Sequence, residues 1–581
     1  MISIEEKTMT AYAKSFEQEL NLRPVPTCSV FLSDGSLKPA SFQETPIQLS
    51  ASKSDLFDKS FPKLSIRSKN VVLEAVPSFV ESTNKRIAVL FSGGPAPGGH
   101  NIVAGIRRIC GELNTVFGIK SGPKGLMAKD LFEISLSEVD EILNTGGFDF
   151  LGSDRTKIKS DSQYKRVKDC VKEFNLDAII VIGGDDSNTN VAFMAEFLAD
   201  EGCSVIGVPK TIDGDLQIDN YLPISFGFDT ATKVYSELVG NILKDSASSQ
   251  KYWHFVKMMG RSASHVALEV ALKTHPHIAL ISEEIAEKEM SLDQIVSQIA
   301  ESILYRAGKG KNFGVVVIPE GLIEFIPEFR ALIDELNSVL GKYKVEIAAL
   351  PGKSRESFVQ TKLRVSSSQL LKTLPEAIKN KLLYERDSHG NLQVSQIPTE
   401  ELLVSMVAKK ISESKSADGF EFEEKQFTLN ENELKTMQSF KFASIHHFFG
   451  YEGRCGAPSP FDAAFTYNLG LLAGSLALSD KTGYMAAISN LTDGGYLTAI
   501  PLISLLSEEM RDGEPRLVIE KALVKMESPA FKSFKDNRIS WAKQDGFISP
   551  GPIQFWGPLS KTLPELVVLN EDYKTSSFSL K

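Results

Sequence analysis

The stretch PKTIDGDL, Pro209 to Leu216, gathers Lys210, Asp213 and Asp215 within six residues of a glycine-containing turn. Two carboxylates beside a lysine suit phosphoryl transfer: one accepts the proton of an attacking hydroxyl, and the ammonium neutralises phosphate oxygens. A solvated turn uses the same residue types. A second stretch, VIGGDDSNTN from Val181 to Asn190, places Asp185 and Asp186 side by side after two glycines. Such a pair holds something positive, repels something negative, or caps a helix, and the residues alone leave the three open. A third, SGGPAPGGHN from Ser92 to Asn101, has glycines that would let backbone N–H groups approach an anion at a helix N-terminus. Arg261 in MMGR and Arg454 in YEGRCG add guanidinium forks suited to bidentate phosphate binding.

Other motifs are absent or bland. In IAALPGKS, Ile347 stands where a phosphate-binding P-loop needs its first glycine, and no G-x-G-x-x-G opens a strand–helix unit. Met258 and Met259 read as core. His446 and His447 would point apart on a strand, which disfavours a shared metal and leaves a core or loop role. The basic GKGKN around Lys309 reads as an exposed loop.

Strands must bring these loops together. RIAVLFSGG, DAIIVIGGDD, SVIGVPK, YWHFVKMMGR, HIALI and NFGVVVIPEG are short apolar runs ending in glycine or polar residues. Between them HNIVAGIRRICGEL has helical spacing at Ile102, Ile106 and Ile109. Ser291 and Gln294 form a capping box before Ile295, Ile299 and Leu304, with Gly308 past the end. Strands alternating with helices predict parallel sheets, and in open α/β sheets ligands sit at the carboxyl ends of the strands, where these motifs fall.

The expected architecture is α/β, with two Rossmann-like three-layer α/β/α halves and a helical insertion. Residues 1–84 read as a polar, irregular N-terminal extension wrapped on the body. Residues 85–245 form the first half, with the lysine–aspartate and glycine-rich loops, and 246–325 the second. ALIDELNSVL, LPEAIKNKLLYE and ELLVSMVAKKISE make 326–430 mainly helical up to about Glu413, followed by a polar loop, SKSADGFEFEEKQ. Residues 431–530 return to complete both halves, and 531–581 are a C-terminal extension.

The 581 residues carry a net charge of -10, so nonspecific nucleic-acid binding is not expected. Hydrophobic residues at 42% support sizeable cores. Five cysteines without a CxxC pair read as free thiols of a reducing compartment, here the cytoplasm. The acidic start is no signal peptide. AAFTYNLGLLAGSLALS, from Ala463 to Ser479, reads as a buried helix rather than a membrane span because Tyr467, Asn468, Asp462 and Asp480 interrupt it.

Taken in order, SGGPAPGGHN, GFDFLGSDRTKI, IGGDDSNTN, PKTIDGDL, SFGFDTA, KYWHFVKMMGRSASH, IPEGLIEFIPE, LPEAI and HFFGYEGRCGAPSPFDAAF resemble the phosphofructokinase family, and within it the long, pyrophosphate-using type. The likeness runs from about residue 86 to 500. It implies that Asp213 is the base for the C1 hydroxyl of fructose 6-phosphate, that Asp185 holds Mg²⁺, and that Gly93 and Gly94 line a pyrophosphate site. Arg155 and Arg261 would face the transferring phosphoryl group or the sugar phosphate. Thr211, Met259, Gly260, Glu320, Tyr451 and Arg454 would surround fructose 6-phosphate, with Ile212 and Asp215 also substrate-binding. Lys251 and Tyr252 would reach the sugar phosphate from a neighbouring subunit, which implies a homodimer with shared active sites.

ATP-using members of the family have glycine in place of Asp186 and of Lys210. The resemblance therefore implies that Asp186 fills the space of a nucleotide α-phosphate and Lys210 clamps a short, highly charged donor. Two alternatives stand beside it: an ATP-using enzyme of the same fold, which Asp186 and Lys210 disfavour, and a noncatalytic regulatory subunit, which would be expected to lose the base or the lysine. A GGD loop also occurs in NAD and lipid kinases, without the other motifs.

Overall fold

Branched apolar runs such as Ala178–Gly183, Ser204–Pro209 and Arg86–Ser92 are buried on both faces of the sheet they form, as central parallel strands require. The computed structural model describes residues 11–46, 55–67, 71–79, 84–384, 397–416, 421–511 and 514–581. They divide into two units. Unit one comprises Met1–Ala231, Glu452–Ala522 and Ile553–Lys581; unit two comprises Thr232–Tyr451 and Leu523–Pro552.

Unit one is built on a ten-stranded sheet. Its centre is five parallel strands in the spatial order Tyr484–Ser489, Ser204–Pro209, Ala178–Gly183, Arg86–Ser92 and Thr115–Ile119. From Arg86–Ser92 the chain first builds outward to Thr115–Ile119, then returns to add Ala178–Gly183 on the other side. That reversal makes the carboxyl ends of Arg86–Ser92 and Ala178–Gly183 a topological switch point, the place where open α/β sheets leave a crevice. Register fixes what meets there: Ser92 pairs with Gly183, Gly183 with Pro209, and Ser92 also with Asp154 of the short Ser153–Asp154 strand.

Two long helices pack below these loops. Gly99–Cys110 and Pro460–Leu478 lie close because a Cβ on Gly470 would fall 2.3 Å from the Ile102 carbonyl oxygen and one on Gly105 2.4 Å from that of Tyr467. The second helix is the Ala463–Ser479 stretch, buried along its length as expected. No helix among the described residues is long and apolar enough to cross a membrane.

Within residues 1–84, two described segments depart from the irregular extension expected. Ala40–Pro46 and Val71–Phe79 are paired antiparallel strands that join the main sheet through Tyr496–Pro501. Polar residues in ASFQETP and Pro77 in the second strand hid them, because edge strands tolerate both.

Unit two holds a four-stranded parallel sheet in the order Ile278–Ala279, Gly314–Pro319, Trp253–Met258, Ser444–Phe449. The Leu292–Gly308 helix carries the expected capping box, although Gly308 is its last residue and Gly310, at φ 77°, makes the turn. Among the described residues six helices, Pro327–Lys342, Lys344–Ala348, Gly352–Lys362, Val365–Thr373, Glu376–Tyr384 and Thr399–Ser416, supply the helical insertion and share one apolar core with the sheet. The last helix runs three residues beyond Glu413, into the expected loop; positions 417–420 of that loop lie outside the described residues. A further capped helix, Glu431–Ser439, follows. Buried Lys257 ties the insertion to the central strand by an ion pair with Glu400 at 2.8 Å.

Candidate active site

In unit one the three loops leave adjacent strand ends in register. Neighbouring strands lie about 4.8 Å apart, so Gly93, Gly184 and Lys210 emerge as neighbours. Gly93 adopts φ 93°, open to glycine, and its N–H donates to the Asp154 carbonyl at 2.9 Å. A Cβ on Gly94 would fall 2.1 Å from the Arg454 guanidinium and 3.4 Å from that of Arg155; one on Gly93 would lie 3.7 Å from the Lys210 ammonium. Two arginines and a lysine thus converge on the Gly93–Gly94 turn.

The TIDGD loop is braced from within. The Thr211 hydroxyl accepts the N–H of Asp213 and donates to the Asp215 carboxylate, each at 3.0 Å. Ile212 is buried, and Asp213 stays partly accessible. Packing around Lys210 lowers its pKa from 10.5 to about 8, with Arg454 acting in the same sense and Asp213 opposing both.

Asp185 and Asp186 open the Asp185–Leu198 helix, where the macrodipole favours negative charge. They have different surroundings. Burial raises the pKa of Asp185; Lys521 opposes the shift, and Asp186 and Asp215 add to it. The Asp186 carboxylate is 62% exposed and pairs with Lys157 at 3.4 Å. A partly buried carboxylate at a helix N-terminus, close to the glycine turn on which Arg155, Arg454 and Lys210 converge, fits a divalent cation that takes most of its other ligands from donor oxygens and water.

Sequence reasoning overlooked the residues that follow the aspartates. Ser187 donates to Ser92 at 2.8 Å, and Asn188 donates to the carbonyls of Gly183 and Gly184 at 2.7 and 2.9 Å. Thr189 accepts the N–H of Ile519 at 3.1 Å, and Asn190 donates to Ile158 at 2.8 Å. Four consecutive polar residues on a largely buried helix were the available signal. Lys521 carried none: it stands 3.4 Å from Asp215 and 3.8 Å from Asp185. Asp462 was also missed. Its buried carboxylate accepts the N–H groups of Gly227 and Thr230 at 2.9 and 2.8 Å, while Asp229 accepts from Ser459 at 2.5 Å. Burial and Asp229 raise the pKa of Asp462.

Unit two presents the sugar-side candidates. Met258 pairs with Pro319 and with Phe449, so Met259, Glu320 and Gly450 follow three adjacent strand ends. Gly260, at φ 134°, donates its N–H to buried Glu320 at 3.0 Å. Met258 is core, Met259 is partly exposed, and Arg261 and Tyr451 are exposed. Lys251 and Tyr252 are exposed at the opposite end of the Trp253–Met258 strand, roughly 20 Å from Met259 at strand rise. The structure therefore brings Arg155, Arg454, Lys210 and the aspartates together in unit one and Met259, Gly260 and Glu320 together in unit two, and leaves Lys251 and Tyr252 apart from the latter. His446 and His447 do diverge: His446 faces Glu401 at 3.6 Å, and His447 meets His254 at 3.0 Å. Of the basic loop, Lys309 pairs with Glu433 and Lys311 with Asp545.

Phosphate-binding turns at the switch point of a parallel sheet define an α/β protein of the doubly wound class, equipped for phosphoryl chemistry. Residues 86–356 match the Phosphofructokinase family. The chain is 45% identical over 509 residues to a pyrophosphate–fructose 6-phosphate 1-phosphotransferase of Treponema pallidum (strain Nichols), covering 86% of this chain and 85% of the relative. It is 43% identical to that of Porphyromonas gingivalis, covering 81% and 84%. It is 41% identical to subunit beta 2 of the Arabidopsis thaliana enzyme, covering 90% and 88%. The chain belongs to the phosphofructokinase family.

Proposed function

We propose that this chain catalyses reversible transfer of a phosphoryl group from pyrophosphate to the C1 hydroxyl of fructose 6-phosphate, giving fructose 1,6-bisphosphate and phosphate. The observation that carries this reading is the strand register at Ser92, Gly183 and Pro209, which supports one donor site made of Gly93, Gly94, Asp185, Lys210 and Asp213. The relatives' names support the same donor and acceptor.

In this reading the Gly93–Gly94 turn, Arg155 and Lys210 hold the pyrophosphate oxygens, and Arg454, expected beside fructose 6-phosphate, joins them because its guanidinium lies against Gly94. Asp213 takes the proton of the C1 hydroxyl as that oxygen attacks phosphorus in line. The bond to the leaving phosphate breaks, and the proton remains on Asp213 until release; the reverse reaction retraces the path. Asp185 would hold Mg²⁺, which neutralises donor oxygens when bound. Thr211, Ile212 and Asp215 keep the base in place, and Met259, Gly260, Arg261, Glu320 and Tyr451 contact the sugar phosphate. Asp186, exposed at the start of its helix, acts against a donor longer than pyrophosphate.

Lys251 and Tyr252 serve the site of a second copy, so the enzyme is a homodimer; their distance along the strand from Met259 supports this. Five unpaired cysteines fit action in a reducing cytoplasm. The test is initial rates with fructose 6-phosphate and Mg²⁺, comparing pyrophosphate with ATP. Turnover with pyrophosphate and none with ATP is expected; the opposite result refutes the assignment.

A further inference from the structure

Lys521 lies outside every motif, yet it is delivered to the donor site by a dedicated element. Leu506–Arg511 and Glu514–Ile519 pair as an antiparallel two-stranded sheet. The second strand packs along the Asp185–Leu198 helix, and the Ile519 N–H donates to Thr189 on that helix at 3.1 Å. Three residues later, the Ala522 N–H donates to the Asp215 carbonyl at 2.8 Å. Lys521 is thus pinned on both sides, with its ammonium 3.4 Å from the Asp215 carboxylate and 3.8 Å from that of Asp185.

Asp186 and Asp215 both act on Asp185 there, and the Lys521 ammonium stands within 3.8 Å of the Asp185 and Asp215 carboxylates. A positive charge in that place has two consequences. It serves as resident counter-ion for the aspartate expected to hold the metal, and it stands where an incoming polyanion gains from a second ammonium beside Lys210. Once a divalent cation takes over the charge of Asp185, a flexible lysine stem lets the ammonium turn toward donor oxygens.

We infer that Lys521 is a second pyrophosphate-binding lysine, kept in reserve by Asp185 and Asp215 until the metal-bound donor arrives. This rests on the donor site proposed above.

The test compares the full-length wild type with Lys521→Met and Lys521→Arg. In steady-state assays Lys521→Met should raise KM for pyrophosphate about 10–100-fold, the worth of one charge-assisted contact, and leave KM for fructose 6-phosphate within about twofold. Lys521→Arg should recover most of the loss. Independently of turnover, Mn²⁺ binding to the free enzyme, followed by its paramagnetic resonance signal without pyrophosphate, should tighten in Lys521→Met because Asp185 loses its competitor. An unchanged pyrophosphate KM, or unchanged or weaker Mn²⁺ binding in a folded Lys521→Met enzyme, overturns the inference. A wild type inactive with pyrophosphate would instead refute the donor reading on which it rests.

Discussion

Lys210 illustrates how one residue sets both a rate and a stability. Its pKa is lowered to about 8 by packing, against 10.5 when unfolded. Between these values the unfolded chain binds the extra proton, so the contribution of Lys210 to stability rises as pH increases through this window. Donor binding moves the other way, because the clamp works only as an ammonium. We predict that kcat/KM for pyrophosphate falls as pH rises past about 8, and that Lys210→Arg, which stays charged, loses this alkaline limb. A limb that persists in Lys210→Arg would place the titrating group elsewhere. Asp186 makes a separate prediction. Asp186→Gly should gain measurable ATP turnover, since it removes a repulsive carboxylate from the donor's far side. If ATP stays inert and the pyrophosphate rate is kept, Asp186 is only a helix-end carboxylate paired with Lys157. Both aspartates stood out in the sequence. What the sequence withheld was their inequality, because Lys157 lies 29 positions from Asp186 and Lys521 lies 336 from Asp185, outside any motif.

At the scale of elements, the donor loop rests on close helix packing. Gly470→Val would drive a side chain into the Ile102 carbonyl, which is backbone and has little room to move. Overpacking of this kind should cost about 1–3 kcal/mol, and lowering the helix that follows SGGPAPGG should also weaken pyrophosphate binding. Thermal unfolding and pyrophosphate KM check it; a variant as stable as wild type would show that the helices part easily. The strands and helices that carry the motifs were legible because apolar runs ending in glycine leave few options. The Ile102, Ile106 and Ile109 stripe and the Ser291–Gln294 box were read directly from spacing. Ala40–Pro46 and Val71–Phe79 were not, since half-exposed edge strands with proline lack a hydrophobic period. The Asp229–Asp462 arrangement was invisible for another reason: two carboxylates 233 positions apart meet only because two helix starts do.

The whole molecule raises the question of copy number. Lys251 and Tyr252 precede the strand whose far end bears Met259 to Arg261, so the proposed homodimer predicts complementation. Asp213→Ser should lower kcat by about 10²–10⁴, and Lys251→Ala should weaken sugar-phosphate binding. Co-expressed and assayed at fructose 6-phosphate low enough to leave each variant nearly silent, the two should form mixed dimers with one intact site each, restoring about a quarter of wild-type activity if pairing is random. No recovery, with mixed dimers present, would assign Lys251 to its own chain's site. Pairing of the N-terminal strands has a consequence for the cell. Val71–Phe79 finds its neighbour in Tyr496–Pro501, through Leu73 with Ala499 and Glu74 with Thr498. A ribosome adding about 5–20 residues each second takes roughly 20–80 s to cross the intervening 400 or so. For that interval the newborn chain holds a strand pair, Ala40–Pro46 with Val71–Phe79, whose third and permanent neighbour has not been made. Their open edge is what a chaperone, or another nascent copy, meets first.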